Sequence, residues 1–326
     1  MHKLTSRNKC QVAVIGSGPS GIGAALALKQ AGIPDIVILE RETDPGGVPR
    51  HCGHPPFGLR EHHRFLTGPH YARLNVRTAR AAGVDIFPAT TVTRLEKGGL
   101  ITFSSPAGLG TLQAEKVLLA TGTRETPRAP RFVSGGRPQG ICTTGALQSM
   151  YYLKNMVPFC RPVIVGSEIV SFSALWTCNK AGIRPVAMLE KEQSPQVRWP
   201  VNLASAFFRV PLLSGTKIIH ILGREKVNGV LIETRHGQQQ ELACDGVLFT
   251  GMFTPEASLA RLSHLDVDPL TGCPIVDHMG RCSDPSYFAA GNVIHAPVKV
   301  AGKCWLSGQS AGLRIAEDLR CGKDHI

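Results

Sequence analysis

Short apolar runs that end in glycine alternate along this chain with stretches of helical periodicity. Val12 to Ile15 enters Gly16-Ser17-Gly18-Pro19-Ser20-Gly21; a helix is expected over Ile22 to Gln30, then a stop at Ala31-Gly32 and a second apolar strand closed by Glu40. The same succession returns at an offset of 150 residues. VAVIGSGPSGIGAALALKQAGIPDIVILE, ending at Glu40, aligns without a gap with PVIVGSEIVSFSALWTCNKAGIRPVAMLE, ending at Glu190. VLLATG, ending at Gly122, and VLFTG, ending at Gly251, read as buried strands that turn sharply and close the two halves. SYFAAGN supplies one more strand, ending in glycine at Gly291, before a helix that runs to about Arg320. The pattern predicts an α/β fold of two Rossmann-like dinucleotide-binding domains, the second inserted in the first. Residues 1–125 and 250–326 form one domain and residues 126–249 the other.

Composition agrees and narrows the classes. With 326 residues, 43% of them apolar, the chain can bury two ordinary cores. The 35 glycines and 23 prolines are scattered without period, as suits an α/β protein with many tight turns. Nowhere do 18 apolar residues run together and the amino terminus has no signal-peptide core, so a cytoplasmic protein with no membrane span is expected. The ten cysteines fall singly, without a CxxC, and most are expected to be buried reduced thiols. The net charge of +12 is uneven: between Arg41 and Arg80 seven arginines face only Glu42, Asp44 and Glu61. No aromatic interleaving or basic recognition helix accompanies them. A basic surface for anionic ligands or a partner is therefore preferred to a nucleic-acid role.

The first glycine turn has the context that a dinucleotide site requires. Gly16 permits the tight turn, Gly18 lets the backbone approach a pyrophosphate, and Gly21 lets the helix pack close to the strand with its amino end facing the phosphates. Glu40, 19 residues after Gly21, can accept hydrogen bonds from both ribose hydroxyls and would repel a 2′-phosphate. In the repeat Gly166 and Glu190 are kept, but Glu168 stands where Gly18 does and Ser171 where Gly21 does. A carboxylate there opposes a pyrophosphate: two charges ~4 Å apart at an effective dielectric of ~20 interact by roughly 4 kcal/mol. That is about three decades in affinity. NAD(P) binding is therefore doubtful. The alternatives are a weak site with Glu168 turned to solvent, or a site for another ligand.

Beyond the turn, Asp44-Pro45-Gly46-Gly47 and Ala289-Ala290-Gly291-Asn292 point to FAD. With these motifs the chain resembles the flavoproteins with two dinucleotide domains, thioredoxin reductase-like within the pyridine nucleotide-disulfide oxidoreductase superfamily. GGVPRHCGHPPFG, LTGPHYAR, ATGTRETPR and AAGNVIHAP resemble more closely the nucleotide-binding subunits of opine oxidase and hydrogen cyanide synthase. The resemblance implies FAD held by Gly16, Gly18, Gly21, Glu40, Gly47, Gly122, Gly291 and Asn292, the last where aspartate is usual. Asparagine keeps an acceptor oxygen and loses the charge, so flavin binding should weaken without vanishing. The amino end of the final helix, near Ala301 to Trp305, is expected at the flavin, where Lys303 either adds a charge or is merely solvated.

Disulfide reductases of that fold need two cysteines, and no partner lies near Cys52. A single thiol cycling through sulfenic acid, as in flavin peroxidases, is one reading of Cys52; a buried thiol beside the flavin is another. The spacing His51-Cys52-Gly53-His54 is not a zinc pattern, and no metal is expected. His51 or His54 either donates hydrogen bonds and shuttles a proton at the flavin or belongs to a structural loop. With two nucleotide folds assigned, almost no chain remains for a substrate domain. The resemblance implies the nucleotide-binding subunit of a multi-component dehydrogenase or oxidase acting on an amine or hydroxy acid, partnered by a small iron-sulfur component and a flavoprotein dehydrogenase subunit. The alternatives are a free-standing NAD(P)H-dependent flavin reductase, a single-cysteine peroxidase-like enzyme, and a non-catalytic FAD-holding scaffold.

Overall fold

The computed structural model describes residues 7–197, 204–294 and 300–321. The end of the late motif, His295-Ala296-Pro297, lies outside the described residues. The chain forms two compact units: Met1–Arg50, Pro55–Arg124 and Thr254–Ile326 make one, and His51–His54 with Glu125–Phe253 make the other.

In chain order the first unit begins with β1 (Lys9–Ile15), α1 (Pro19–Gln30), β2 (Ile36–Leu39), α2 (Gly68–Ala81), β3 (Asp85–Phe87), β4 (Thr91–Leu95), β5 (Leu100–Ser105) and β6 (Gly108–Leu119). β7 (Thr123–Glu125) ends the first unit's segment, and the second unit follows with β8 (Ser134–Gly135), β9 (Ile141–Thr143), α3 (Thr144–Lys154), β10 (Pro162–Val165), α4 (Ile169–Lys180) and β11 (Ala187–Glu190). It continues with α5 (Ala204–Phe207), β12 (Leu212–Ser214), β13 (Thr216–Leu222), β14 (Gly229–Thr234), β15 (Gln239–Ala243) and β16 (Gly246–Phe249), and β17 (Phe253–Pro255) leads back to the first unit. The chain then completes the first unit with α6 (Ser258–Arg261), β18 (Tyr287–Ala289) and α7 (Ala301–Cys321).

The first sheet runs β3-β2-β1-β6-β5-β4, with β18 beside β6. Its parallel register sets Ile15 opposite both Leu39 and Leu119, so three strands end level and the loops beyond them share one crevice. The second unit repeats this in the parallel sheet β12-β11-β10-β16-β9, where Val165 lies opposite Leu189 and Phe249. The central parallel strands, β1 and β2 in one sheet and β10, β11 and β16 in the other, are buried on both faces, which is why they read as apolar runs. Val12 and Val14 pack with Ile22, Trp305 and Ile315 on one face, while Ala13 and Ile15 pack with Phe103, Leu112 and Tyr287 on the other.

Three features depart from the sequence reading. Helix α1 starts at Pro19 rather than Ile22, because proline at the first helical position gives up an amide that has no partner there anyway. The antiparallel β4-β5-β6 and β13-β14-β15 meanders are not in the sequence reading, although Gly98-Gly99, Pro106 and Gly237 mark their turns, because the strands between them alternate only weakly. Burial of the cysteines is also less general than expected: all ten are free, five are buried, and Cys160 and Cys321 are exposed.

Helix α1 is buried over its whole middle, Ser20 to Leu28, between the sheet and α7. Small residues make this possible. A Cβ on Gly308 or Gly312 of α7 would overlap the carbonyls of Ser20 and Ala24, and one on Gly23 of α1 would lie 2.8 Å from the carbonyl of Trp305. The two helices therefore pack backbone to backbone. Gly308→Ala should cost about 1–3 kcal/mol through overpacking, lowering the melting midpoint by roughly 2–4 °C per kcal/mol for a unit of this size. Ser310→Ala, on the exposed face of α7, is the control and should leave the melt unchanged.

Candidate functional site

In the first unit the glycine turn is shaped by collisions that glycine alone avoids. Gly16 sits at φ +104°, and a Cβ there would come within 2.6 Å of the Ala120 carbonyl; one on Gly21 would overlap the carbonyl of Gly16. Gly18 is different. It caps α1 with extended backbone and no side-chain hydrogen bond, and a Cβ on it would meet nothing within 4 Å. The first amides of α1 thus face open space, the arrangement that receives a phosphate. Gly122, at the end of β6, is likewise open. Gly47 folds back on the turn so closely that a Cβ would lie 2.7 Å from Cα of Gly18.

Glu40, buried just past β2, is held by three donors. Its Oε2 accepts from the Ser17 amide at 2.9 Å and the Ser17 hydroxyl at 2.5 Å, and its Oε1 accepts from the Glu42 amide at 3.0 Å. The Ser17 hydroxyl in turn accepts from the Gly46 amide at 2.8 Å, tying the double-glycine loop to the ribose acid. Sequence reasoning missed Ser17; its identical twin Ser167 in the repeat was the available signal. Gly291 donates to Ser307 of α7 at 2.9 Å, and the side chain of Asn292 makes no hydrogen bond among the described residues. Lys303 is exposed near the start of α7. An open turn, an orphaned helix terminus and a preset buried acid fit an FAD diphosphate and ribose.

The second unit reproduces the acid network at the same offset. The Ser167 hydroxyl donates to Glu190 Oε2, the Glu192 amide donates to Glu190 Oε1 at 2.9 Å, and the Gln196 amide donates to the Ser167 hydroxyl at 3.0 Å. The crevice itself is not reproduced. Glu168 caps α4 at the position of Gly18, and its carboxylate turns inward: a Cβ on Gly251 would lie 2.6 Å from both Cδ and Oε1, and one on Gly166 2.7 Å from Oε2. Where Gly122 looks onto open space, Gly251 looks onto Glu168. Ser171, in place of Gly21, bonds Thr250 at 2.7 Å, hydroxyl to hydroxyl.

Two residues that the sequence reading did not single out surround this carboxylate. Arg131 donates to the Gly251 carbonyl at 2.6 Å and to the Thr126 carbonyl at 3.0 Å, with its guanidinium 5.1 Å from the Phe249 ring centre. Burial lowers the guanidinium from its usual range, opposed by Glu168 and Glu125. Glu125 accepts from the Gly145 amide at 2.6 Å in the first turn of α3, and burial pushes its carboxyl up to about 7. Cys52, in the short piece of chain that belongs to the second unit, lies 3.6 Å from Gln148 Oε1 of α3. Burial, followed by the charge of Glu125, pushes its thiol up to about 12, which favours the protonated thiol at neutral pH. Nor do the histidines converge: His62 bonds Asn75 at 2.6 Å and His70 bonds Thr67 at 2.8 Å. Among the described residues no group of three or more ligating side chains could hold a metal ion.

A single family model spans residues 10–311, that of the pyridine nucleotide-disulphide oxidoreductases. The chain belongs to this family. As a member it is an oxidoreductase, a flavoprotein that binds FAD, with Rossmann-type FAD and NAD(P) folds. It is 24% identical over 344 residues to the opine oxidase A component of Rhizobium meliloti, covering 94% of this chain and 62% of that one. It is 26% identical over 264 residues to the sarcosine oxidase alpha component of Rhizobium meliloti (strain 1021), covering 77% of this chain and 25% of that protein. Thioredoxin reductase of T. acidophilum shares its fold, with a TM-score of 0.78 at 21% identity, covering 96% of this chain and all of the other. The chain spans 47 to 65% of the length of the opine oxidase relatives it matches. No helix among the described residues is long and apolar enough to cross a membrane.

Two outcomes test this geometry. Gly18→Glu puts a carboxylate into the open turn and should release FAD, lowering bound flavin at least tenfold in absorbance at fixed protein, whereas Gly122→Ala should only weaken it. Glu125 gives a pH signature. Its folded pKa is raised, so the folded state holds an extra proton between about 4.5 and about 7, and stability falls as pH rises through that window. Glu125→Gln should flatten this slope, worth at most about 3 kcal/mol, as read from urea melts across pH 4.5 to 8.

Proposed function

We propose that this chain is the nucleotide-binding subunit of a multi-component dehydrogenase or oxidase that acts on an amine or hydroxy acid. FAD would be seated by Gly16, Gly18, Gly21, Glu40, Gly47, Gly122, Gly291 and Asn292. The observation that carries the reading is Glu168: its carboxylate fills, against Gly166 and Gly251, the crevice that is open at Gly18 and Gly122 in the FAD half. A pyridine nucleotide would have to bring its diphosphate onto that charge. The ordinary supply of electrons in this fold is thereby discouraged, and the flavin needs another.

FAD supplies two-electron redox chemistry when bound. The chain's own residues bind and orient it. The α1 amides take the diphosphate and Glu40, held by Ser17 and Glu42, takes the ribose diol. No thiol relay completes a disulfide reductase. No two cysteines share a CxxC, and burial favours the protonated thiol of Cys52. A flavoprotein dehydrogenase subunit that oxidises the substrate, with a small iron-sulfur carrier, supplies the missing route. The opine and sarcosine oxidase relatives, each named as one component of an oxidase, support that reading. The domain limits follow the same logic: residues 1–125 and 250–326 would hold FAD, and residues 126–249 the altered nucleotide fold.

The runner-up, a free-standing NAD(P)H-dependent reductase, draws support from the intact Ser167–Glu190–Gln196 network, which still presents a ribose acid. Anaerobic mixing separates the two. NADH and NADPH should bleach the wild-type flavin at least a hundredfold more slowly than they bleach Glu168→Gly. Rapid bleaching of the wild type at micromolar NADH would establish the reductase instead.

A further inference from the structure

The arginine-rich stretch found in the sequence becomes a surface in the structure. Of its seven arginines, Arg41 and Arg50 share Glu42, at 3.7 and 3.6 Å. Glu61 is taken by the Tyr71 hydroxyl at 2.7 Å. Arg60, Arg64, Arg73, Arg77 and Arg80 are exposed and make no ion pair among the described residues.

Three of them stand on α2. Its buried face is Tyr71, Ala72, Asn75, Val76 and Ala79, and its outer face is His70, Arg73, Arg77 and Arg80, one stripe at helical spacing that runs ~15 Å along the axis. The helix contains no acidic residue. Like charges three and four apart weaken a helix, and of this stripe Arg80 alone, in the last turn, is favoured by the helix dipole. The preceding loop is pinned to the inner face of the same helix, by His62 on Asn75 at 2.6 Å and by Phe57 against Tyr71. That loop holds Arg64 and an exposed phenylalanine, Phe65, at 69% of its accessible surface.

We propose that this face of α2, with Arg64 and Phe65, docks an acidic surface of a partner protein, the dehydrogenase subunit of the assembly inferred above. The inference rests on that reading for the identity of the partner and on α2 itself for the surface. A protein is chosen because an exposed phenylalanine, Phe65, stands with the arginines and because every cation from Arg41 to Arg94 is arginine or histidine, with no lysine. A nucleic acid, which arginine also recognises, is an outcome of the test. Arginine and phenylalanine are enriched and lysine depleted where proteins meet, since the planar guanidinium pairs carboxylates two-pronged and loses little freedom in doing so. A surface kept only for solubility has no reason to avoid lysine.

The test uses the full chain purified with its partner from the native cell, the partner then being identified and recombined with it at defined salt. Phenylglyoxal, which modifies arginine, should label Arg64, Arg73, Arg77 and Arg80 at least fivefold less in the complex than in the free chain. The dissociation constant should rise at least about tenfold between 50 and 300 mM NaCl, as screening predicts. Replacing Arg73, Arg77 and Arg80 together by glutamate should weaken association at least a hundredfold with FAD content unchanged. If that variant does not fold, Arg77→Glu alone and the labelling of the wild type decide the matter.

A complex in which these arginines label as in the free chain overturns the docking face and leaves the subunit reading standing. Protection by a partner that is not an oxidoreductase sustains the surface as a protein-docking face, and overturns the subunit reading and the partner assigned from it. A chain that turns over substrate alone, with no partner, overturns both. Retention on phosphatidylglycerol vesicles or duplex DNA that the glutamate variant loses, with no protection by protein, also overturns the inference.

Discussion

The first unit depends on how closely the backbone of α1 can approach its neighbours. A single Cβ at position 21 would strike the Gly16 carbonyl, and one at Gly308 or Gly312 would strike the far side of the same helix. The helix is therefore gripped from both sides at backbone distance. That grip aims its first amides at the point where β1, β2 and β6 end level. Because Gly18 carries no side chain and Pro19 no amide hydrogen, the terminus has no internal partner and is stabilised best by an anion. Packing and binding are thus two consequences of one geometric constraint, and the buried Glu40 at the end of β2 completes it.

The second unit is a physical comparison with the first inside one chain. The serine hydroxyl, the glutamate and the following loop keep three of the hydrogen bonds at an offset of 150 residues, down to the amide of Gln196 standing where that of Gly46 does. Only the diphosphate end differs. Exchange of glycine for glutamate at the cap fills the crevice, and exchange of glycine for serine in the first turn replaces a close backbone approach with a bond between hydroxyls. The half of the site that recognises a sugar survives in the same fold as a half that repels a phosphate.

Much of this was legible in the residues. The ungapped repeat announces two βαβ units because strand, turn, helix and acid are local patterns of the chain, and the two parallel sheets follow them. What depends on distant chain was not legible. Arg131 and Glu125 come to the second crevice from the segment after β6, with no spacing that relates them to Gly251 or Gly145. The direction taken by Glu168 is not legible for the same reason: its carboxylate lies against Gly251, 83 residues further along the chain. The antiparallel meanders escaped because alternation in short strands such as Thr91–Leu95 is weak beside the long apolar runs. Cys52 invited a redox reading by its place after Gly47, yet its thiol is buried against Gln148 and pushed up to about 12.

A tethered carboxylate also differs in kind from a mere steric block. A group carried on the site's own backbone competes at an effective concentration that for short tethers is of millimolar order or above, and it does so without losing translational freedom on binding. A pyridine nucleotide would have to displace that carboxylate from beside Gly166 and Gly251, and would also have to set its own negative charge near it. The two costs act together for a diphosphate, but only the first acts for a neutral or cationic group. Discrimination at the second crevice would therefore fall on charge more than on shape, and on the proposed reading the residues around Glu190 need not change for a pyridine nucleotide to be disfavoured. On the reading proposed above, that separation is how two exchanges in a duplicated turn would redirect the electron supply of a flavoprotein while its scaffold stays intact.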